Sequence, residues 1–195
     1  MLKIGLTGGI GAGKSVVSKI LTSLNYPVFN SDTEAKLLLI EDDSAIVEMK
    51  EAFGDEVYHS DGSLNRTHVA EIIFNDSKKR EAINAIVHPR VRKRFEALVE
   101  RSESPLVFNE AAILFETDSY KKFDKNVLVA APDELRIERV MKRDKVSREA
   151  VQDRMNAQWT DDQKKQLADF VIINDERIPL IPQVEELVSS LNQLL

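Results

Sequence analysis

Cysteine is absent from the 195 residues. That excludes disulfides, thiol nucleophiles and cysteine-ligated metal sites, and it agrees with a cytoplasmic protein. No apolar run approaches the ~20 residues that span a bilayer. The first residues enter an apolar strand pattern at once, so no signal peptide is expected. A positive surplus is also missing. Lys and Arg number 27 against 33 Asp and Glu, a formal net charge of -6, and a broadly basic nucleic-acid surface is not expected. His59 and His68 have no partners at metal-ligand spacing. Repeats and low-complexity linkers are absent. What remains, 43% hydrophobic and 31% charged residues, is ordinary for a globular chain. It is long enough for one α/β domain with a substantial core and an inserted substrate-binding part.

Against that background one motif stands out. Gly8-Gly9-Ile10-Gly11-Ala12-Gly13-Lys14-Ser15 has the pattern G-x-x-x-x-G-K-[ST]. It follows an apolar strand, Leu2–Thr7, and precedes a helical pattern with Val16, Val17, Ile20, Leu21 and Leu24. The glycines allow a tight curl in which successive N–H groups face one hollow, and the helix adds its positive end. This is a phosphate-binding loop. Gly9, Ile10, Gly11, Ala12, Gly13, Lys14, Ser15 and Val16 are the expected ATP contacts. Lys14 reaches the β- and γ-phosphates, and the Ser15 hydroxyl holds Mg²⁺ directly.

Further short apolar runs read as buried parallel strands: Pro27–Asn30, Leu106–Asn109, Asn126–Ala131 and Phe170–Asn174. Alternating with helical segments, they predict a doubly wound, five-stranded parallel sheet of the P-loop kinase type, with ligands at the strands' carboxyl ends. Roughly seventy residues separate the second and third strands, far beyond the ~12 of a minimal crossover. The segment reads as helices over Ala45–Phe53, Thr67–Phe74 and Lys78–Arg101, with a kink or new start at His88-Pro89. Residues 1–32, 105–132 and 169–195 are therefore expected to form the core. Residues 33–104 would be a helical acceptor-binding insertion, and residues 133–168 a helical lid. A final helix, Leu180–Leu195, packs on the sheet.

Several residues fit phosphoryl transfer to a hydroxyl. Asp32 follows the second strand, where a carboxylate can orient an attacking O–H and take its proton; it could equally cap the helix that starts there. Glu110 closes the third strand, a common place for an acid that reaches Mg²⁺ through water. Glu116 is either a second acid or a surface or capping carboxylate. Arg136, Arg139 and Arg143 share a helix face, and Arg154 and Gln158 share the next. Guanidinium groups there would neutralise the moving phosphoryl; Arg139 and Arg143 are the first candidates, with Arg143 also touching ATP. Asn174 ends the last strand and is placed against adenine. Trp159 reads as a packing residue.

These residues together resemble dephospho-coenzyme A kinase. The opening Ile4–Ser15 is similar to that family's start almost letter for letter. Asp32 falls on its acid after the second strand. Similar motifs follow in order: Asp61–Arg66, Ile86-Val87-His88-Pro89, Ile113-Leu114-Phe115-Glu116, Arg154–Gln158, and Ala168-Asp169 with Asn174. Two positions depart from the family. Glu110-Ala111-Ala112 stands for the usual Asp-Ile-Pro, and Asn65 stands where Asp is common before Arg66. The resemblance implies a P-loop kinase core, a helical acceptor domain and a lid. It also implies transfer of the ATP γ-phosphate to the ribose 3′-hydroxyl of dephospho-CoA, with Asp32, Lys14, Arg139 and Arg143 catalytic. Asp32, Arg66, His88 and Glu110 are then the acceptor-side contacts. The expected protein is cytoplasmic and monomeric, with a small homo-oligomer as alternative, and binds neither nucleic acid nor membrane. Another P-loop small-molecule kinase, acting on a nucleoside monophosphate or a sugar, is the second reading. A nucleotide-dependent switch is the third, although no Asn-Lys-x-Asp segment is present.

Overall fold

The computed structural model describes residues 1–74 and 76–195. It divides into two compact units, residues 1–30 with 101–195, and residues 31–100.

The first unit is built on five strands, β1 (Leu2–Thr7), β2 (Val28–Asn30), β3 (Leu106–Glu110), β4 (Lys125–Ala130) and β5 (Phe170–Ile173). They pair in parallel in the order β2-β3-β1-β4-β5. The chain leaves β1 toward one side of the sheet and later returns to the other, so connections diverge at the carboxyl end of β1. The register lines up Leu6, Glu110 and Asn30 across three strands at that edge. Burial on both faces explains the continuous apolar runs.

α1 (Lys14–Ser23) and α9 (Leu180–Asn192) pack on this sheet. Val17 and Leu21 from α1, and Val184, Leu187, Val188 and Leu191 from α9, join Ile4, Leu6, Phe108 and Val127 in one buried core. Between β4 and β5 the expected helical stretch is three helices, α6 (Asp133–Asp144), α7 (Arg148–Asn156) and α8 (Asp161–Lys165). Their boundaries have local causes. Lys145 ends α6 at a left-handed φ of 55°. Ser147 caps α7 by accepting from the Ala150 N–H. Thr160 and Gln163 form a reciprocal capping box at α8. Ile137, Val140 and Val151 make a small core of their own, with Ile10 and Met155 packed against it.

The second unit holds α2 (Ser31–Glu41), α3 (Asp43–Phe53), α4 (Arg66–Phe74) and α5 (Ser77–Arg101). Ala45, Met49, Val57, Tyr58, Val69 and Ile86 form its core. No new helix starts at Pro89: α5 runs through it as one 25-residue helix. A proline removes one helical donor and crowds the carbonyl four residues back. That carbonyl is the one of Ala85; the next residue along, Arg90, ties the helix to α3. Its guanidinium donates to the Ile86 carbonyl at 2.8 Å, and to Glu48 Oε1 at 2.7 Å and Ser44 Oγ at 3.0 Å. The same guanidinium, by hydrogen bonding, holds the Glu48 carboxyl below its usual range.

Candidate active site

In the loop between β1 and α1 each carbonyl from Gly8 to Ala12 meets a donor. Lys14 Nζ donates to Gly8 O at 2.8 Å, the Ala12 N–H to Gly9 O at 3.1 Å, and Arg136 Nε to Ile10 O at 3.0 Å. Arg139 Nη1 reaches Gly11 O at 3.4 Å, and Asn174 Nδ2 reaches Ala12 O at 2.8 Å. The Ile10 and Ala12 N–H groups already donate, to Gln158 Oε1 and Gly9 O, so a strand-to-helix loop of this kind would meet an anion through its other amides. Two glycines are required sterically. Gly11 has φ +78° and would put a Cβ 2.5 Å from Arg136 O. Gly13 has φ +96°, and a Cβ there would run into the Asn174 amide. α1 begins directly after Gly13 with no side-chain cap and no acid in its first turn. Its N-terminus is thus fitted to receive phosphate rather than a carboxylate of its own.

Glu110 is buried at the end of β3. Its Oε2 accepts from Ser18 Oγ at 2.8 Å and from Asn30 Nδ2 at 3.0 Å. Ser18 lies one turn along α1 from the exposed Ser15, so acid and hydroxyl share one helix face. Among the described residues no group of three or more His, Asp or Glu could cage a metal ion.

The arginines separate by role. Arg136, 3% exposed, is a strut bonded to Ile10 O and, by ion pairs, to Asp133 at 3.0 Å and Asp161 at 3.4 Å. Arg139 sits between the loop and the end of β5, with Nη2 3.2 Å from Asn174 Oδ1 and 3.0 Å from Glu176 Oε1. Arg143 is not gathered with them. It is largely exposed and pairs with Asp144 at 2.7 Å, as Arg154 does at 2.8 Å. Hydrogen bonding to Arg143, with Arg154 adding to it, holds the Asp144 carboxyl below the usual carboxylate range. Asn174 is buried, with its amide committed to Ala12 and Arg139. It bolts β5 to the loop.

Other expected positions are placed as follows. Asp32 is exposed in the first turn of α2, inside the helix rather than at its cap. Arg66 opens α4 and His88 lies on α5, both exposed. Glu116 is neither a surface nor a capping acid, because its side chain pairs with the fully buried Lys164 at 2.9 Å. Trp159 is 39% exposed rather than packed. It lines a cavity of about 830 Å³ with Pro132, Arg136, Met155, Gln158 and Ile173. Asp133, Asp161, Asp162 and Asp175 also face that space, while Arg136 is already paired, which suits a triphosphate poorly. The cavity's acidic lining fits phosphate less well than the loop does.

Ser18 and Asn30 did not stand out as site residues in the sequence, and Arg136 stood behind Arg139 and Arg143 there. The one available signal was periodicity: Ser18 is three residues from Ser15, and Arg136 three from Arg139.

Comparison with known proteins agrees with this geometry. A family model described as dephospho-CoA kinase matches residues 2–179. A dephospho-CoA kinase of Bacteroides fragilis (strain YCH46) is 42% identical over 193 residues, covering 98% of this chain and 94% of that protein. A crystal structure from Thermus thermophilus matches with a TM-score of 0.85 at 34% identity, over 100% of this chain and 97% of the other. The Campylobacter jejuni dephospho-CoA kinase shares the fold, with a TM-score of 0.71 at 24% identity over 98% and 97% of the two chains. With a phosphate loop built as described and a match over nearly its whole length, the chain belongs to the dephospho-CoA kinase family.

Proposed function

We propose that the chain transfers the γ-phosphoryl of ATP to the ribose 3′-hydroxyl of dephospho-CoA, giving CoA and ADP. The observation that carries this reading is the glycine-rich loop, bonded on five successive carbonyls, three of them from outside the loop, and opening onto an uncapped helix. In the reaction the 3′-oxygen bonds to the γ-phosphorus as the bond from that phosphorus to the β–γ bridging oxygen breaks. ADP leaves, and the hydroxyl proton passes to Asp32. Asp32 follows β2 directly and is exposed, which supports that role. The stretch from Gly9 to Val16 cradles the phosphates through amides other than those of Ile10, Ala12 and Val16, which already donate to Gln158 Oε1, Gly9 O and Gly13 O, and Lys14 and Arg139 meet the charge spread over the transferring group. Arg143 enters this role only by leaving Asp144. Arg66 and His88, exposed on α4 and α5, are proposed contacts for the acceptor's phosphates, in a helical insertion that binds the acceptor. Asn174 positions the loop beneath the nucleotide and borders adenine through its strand end.

Magnesium fits the oxygen donors present. Ser15 would ligate it, and Glu110, anchored by Ser18 and Asn30, would reach it through water. In kinases this ion takes most of its ligands from water and phosphate, so a protein cage is not needed. When bound it would neutralise phosphate charge. A cytoplasmic, monomeric enzyme with a lid over residues 133–168 completes the reading.

An acceptor panel tests it. ADP release is expected with dephospho-CoA and not with AMP, shikimate or gluconate; the reverse pattern would assign a nucleotide or sugar kinase. Arg139→Ala is expected to lower kcat/KM for ATP about tenfold, the scale of one lost charge-assisted contact. Unaltered steady-state kinetics in ATP would remove Arg139 from the site.

A further inference from the structure

Ile10 is held from both sides. Its carbonyl accepts from Arg136, and its N–H donates to Gln158 Oε1 at 2.9 Å. Its side chain packs against Ile137, Val140 and Val151. Gln158 belongs to the link between α7 and α8, 148 residues away in sequence. That link has its own anchor. The Trp159 N–H donates to Glu116 Oε1 at 3.1 Å, and Lys164 Nζ pairs with the same oxygen at 2.9 Å. Lys164 is 0% exposed, and Glu116 Oε2 is buried with no hydrogen-bond partner among the described residues. A buried pair left partly unsatisfied is weak evidence for stabilisation, because desolvation offsets most of the attraction. What such a pair supplies here is position: it fixes the backbone immediately after Gln158.

We infer that Gln158 is a positioning residue for the phosphate loop, presented to the Ile10 amide by the Glu116–Lys164 pair. The consequence is chemical. Ile10 lies between Gly9 and Gly11, the most deformable part of the loop. Tying its N–H outward leaves the neighbouring amides turned inward, so the cradle exists before ATP arrives and less ordering accompanies binding. The inference rests on the reading of this loop as the ATP site, but its first test does not.

That test is amide hydrogen exchange at Ile10 in the nucleotide-free protein, read by NMR. Gln158→Leu removes the acceptor at similar volume, and exchange at Ile10 is expected to quicken about fivefold, the scale of one hydrogen bond. Gln158→Glu keeps an acceptor oxygen and is expected to restore protection. In turnover, Gln158→Leu should raise KM for ATP about fivefold, with kcat, KM for dephospho-CoA and the melting temperature unchanged. A merely structural side chain would lower the melting temperature and leave KM alone. Should leucine disturb folding, Gln158→Ala is read on the same amide. Unchanged Ile10 exchange in the folded variants would overturn the inference, as would quickened exchange with KM for ATP unaltered. Exchange is measured without any substrate, so its outcome is independent of the acceptor's identity.

Discussion

Lys14→Ala is expected to lower kcat by about a thousandfold, the loss seen when one preorganised charge partner is taken from a transition state. The Lys14 ammonium donates to Gly8 O, a carbonyl of its own loop, at 2.8 Å. A triphosphate offers a stronger acceptor, and a short swing brings the charge onto the β- and γ-oxygens. The loop does not depend on Lys14 for its shape, since Arg136, Arg139 and Asn174 hold three of its carbonyls from outside. The variant should therefore fold, with an unchanged circular dichroism spectrum and melting temperature. Steady-state turnover of folded Lys14→Ala within a few-fold of the parent would show that the lysine does not meet the transferring phosphoryl.

Asp32→Asn is expected to lower kcat by about a hundredfold or more, the range of general-base catalysis, with KM for ATP little changed. The amide keeps the size and one acceptor oxygen of the carboxylate, so it can still orient a hydroxyl. It cannot take the proton. A loss confined to KM for dephospho-CoA would instead make Asp32 a binding residue. Single-turnover mixing separates the two, because a base defect slows the chemical step at saturating acceptor.

Much of the fold could be read from the chain. Five apolar runs marked the strands to within a residue or two, because strands buried on both faces must be apolar throughout. The loop was legible because its chemistry needs Gly at fixed spacings before Lys-Ser. Less legible was everything set by distant contact. Pro89 read as a kink or a new helix start, and nothing in the local pattern told that the chain stays helical through it, with Arg90 tied to Glu48 and Ser44 on α3. Arg136 was legible as sharing a helix face with Arg139 and Arg143, but not that it is buried with Ile10, 126 residues earlier, as its acceptor. Glu116 and Lys164 could not be paired from periodicity, as they lie in different elements separated by β4. Asn174 was legible as a strand-end amide, but not that its donor is spent on Ala12. Local pattern fixes element type, whereas the partner of a polar side chain is fixed by topology.

The most direct test of the central claim follows labelled phosphate. With γ-labelled ATP, magnesium and dephospho-CoA, the label is predicted to move to the acceptor, and phosphorus NMR should place the new phosphate on the ribose 3′-oxygen with one ADP formed per transfer. Release of label as inorganic phosphate with dephospho-CoA unaltered, or a phosphate on any other oxygen, would contradict the account.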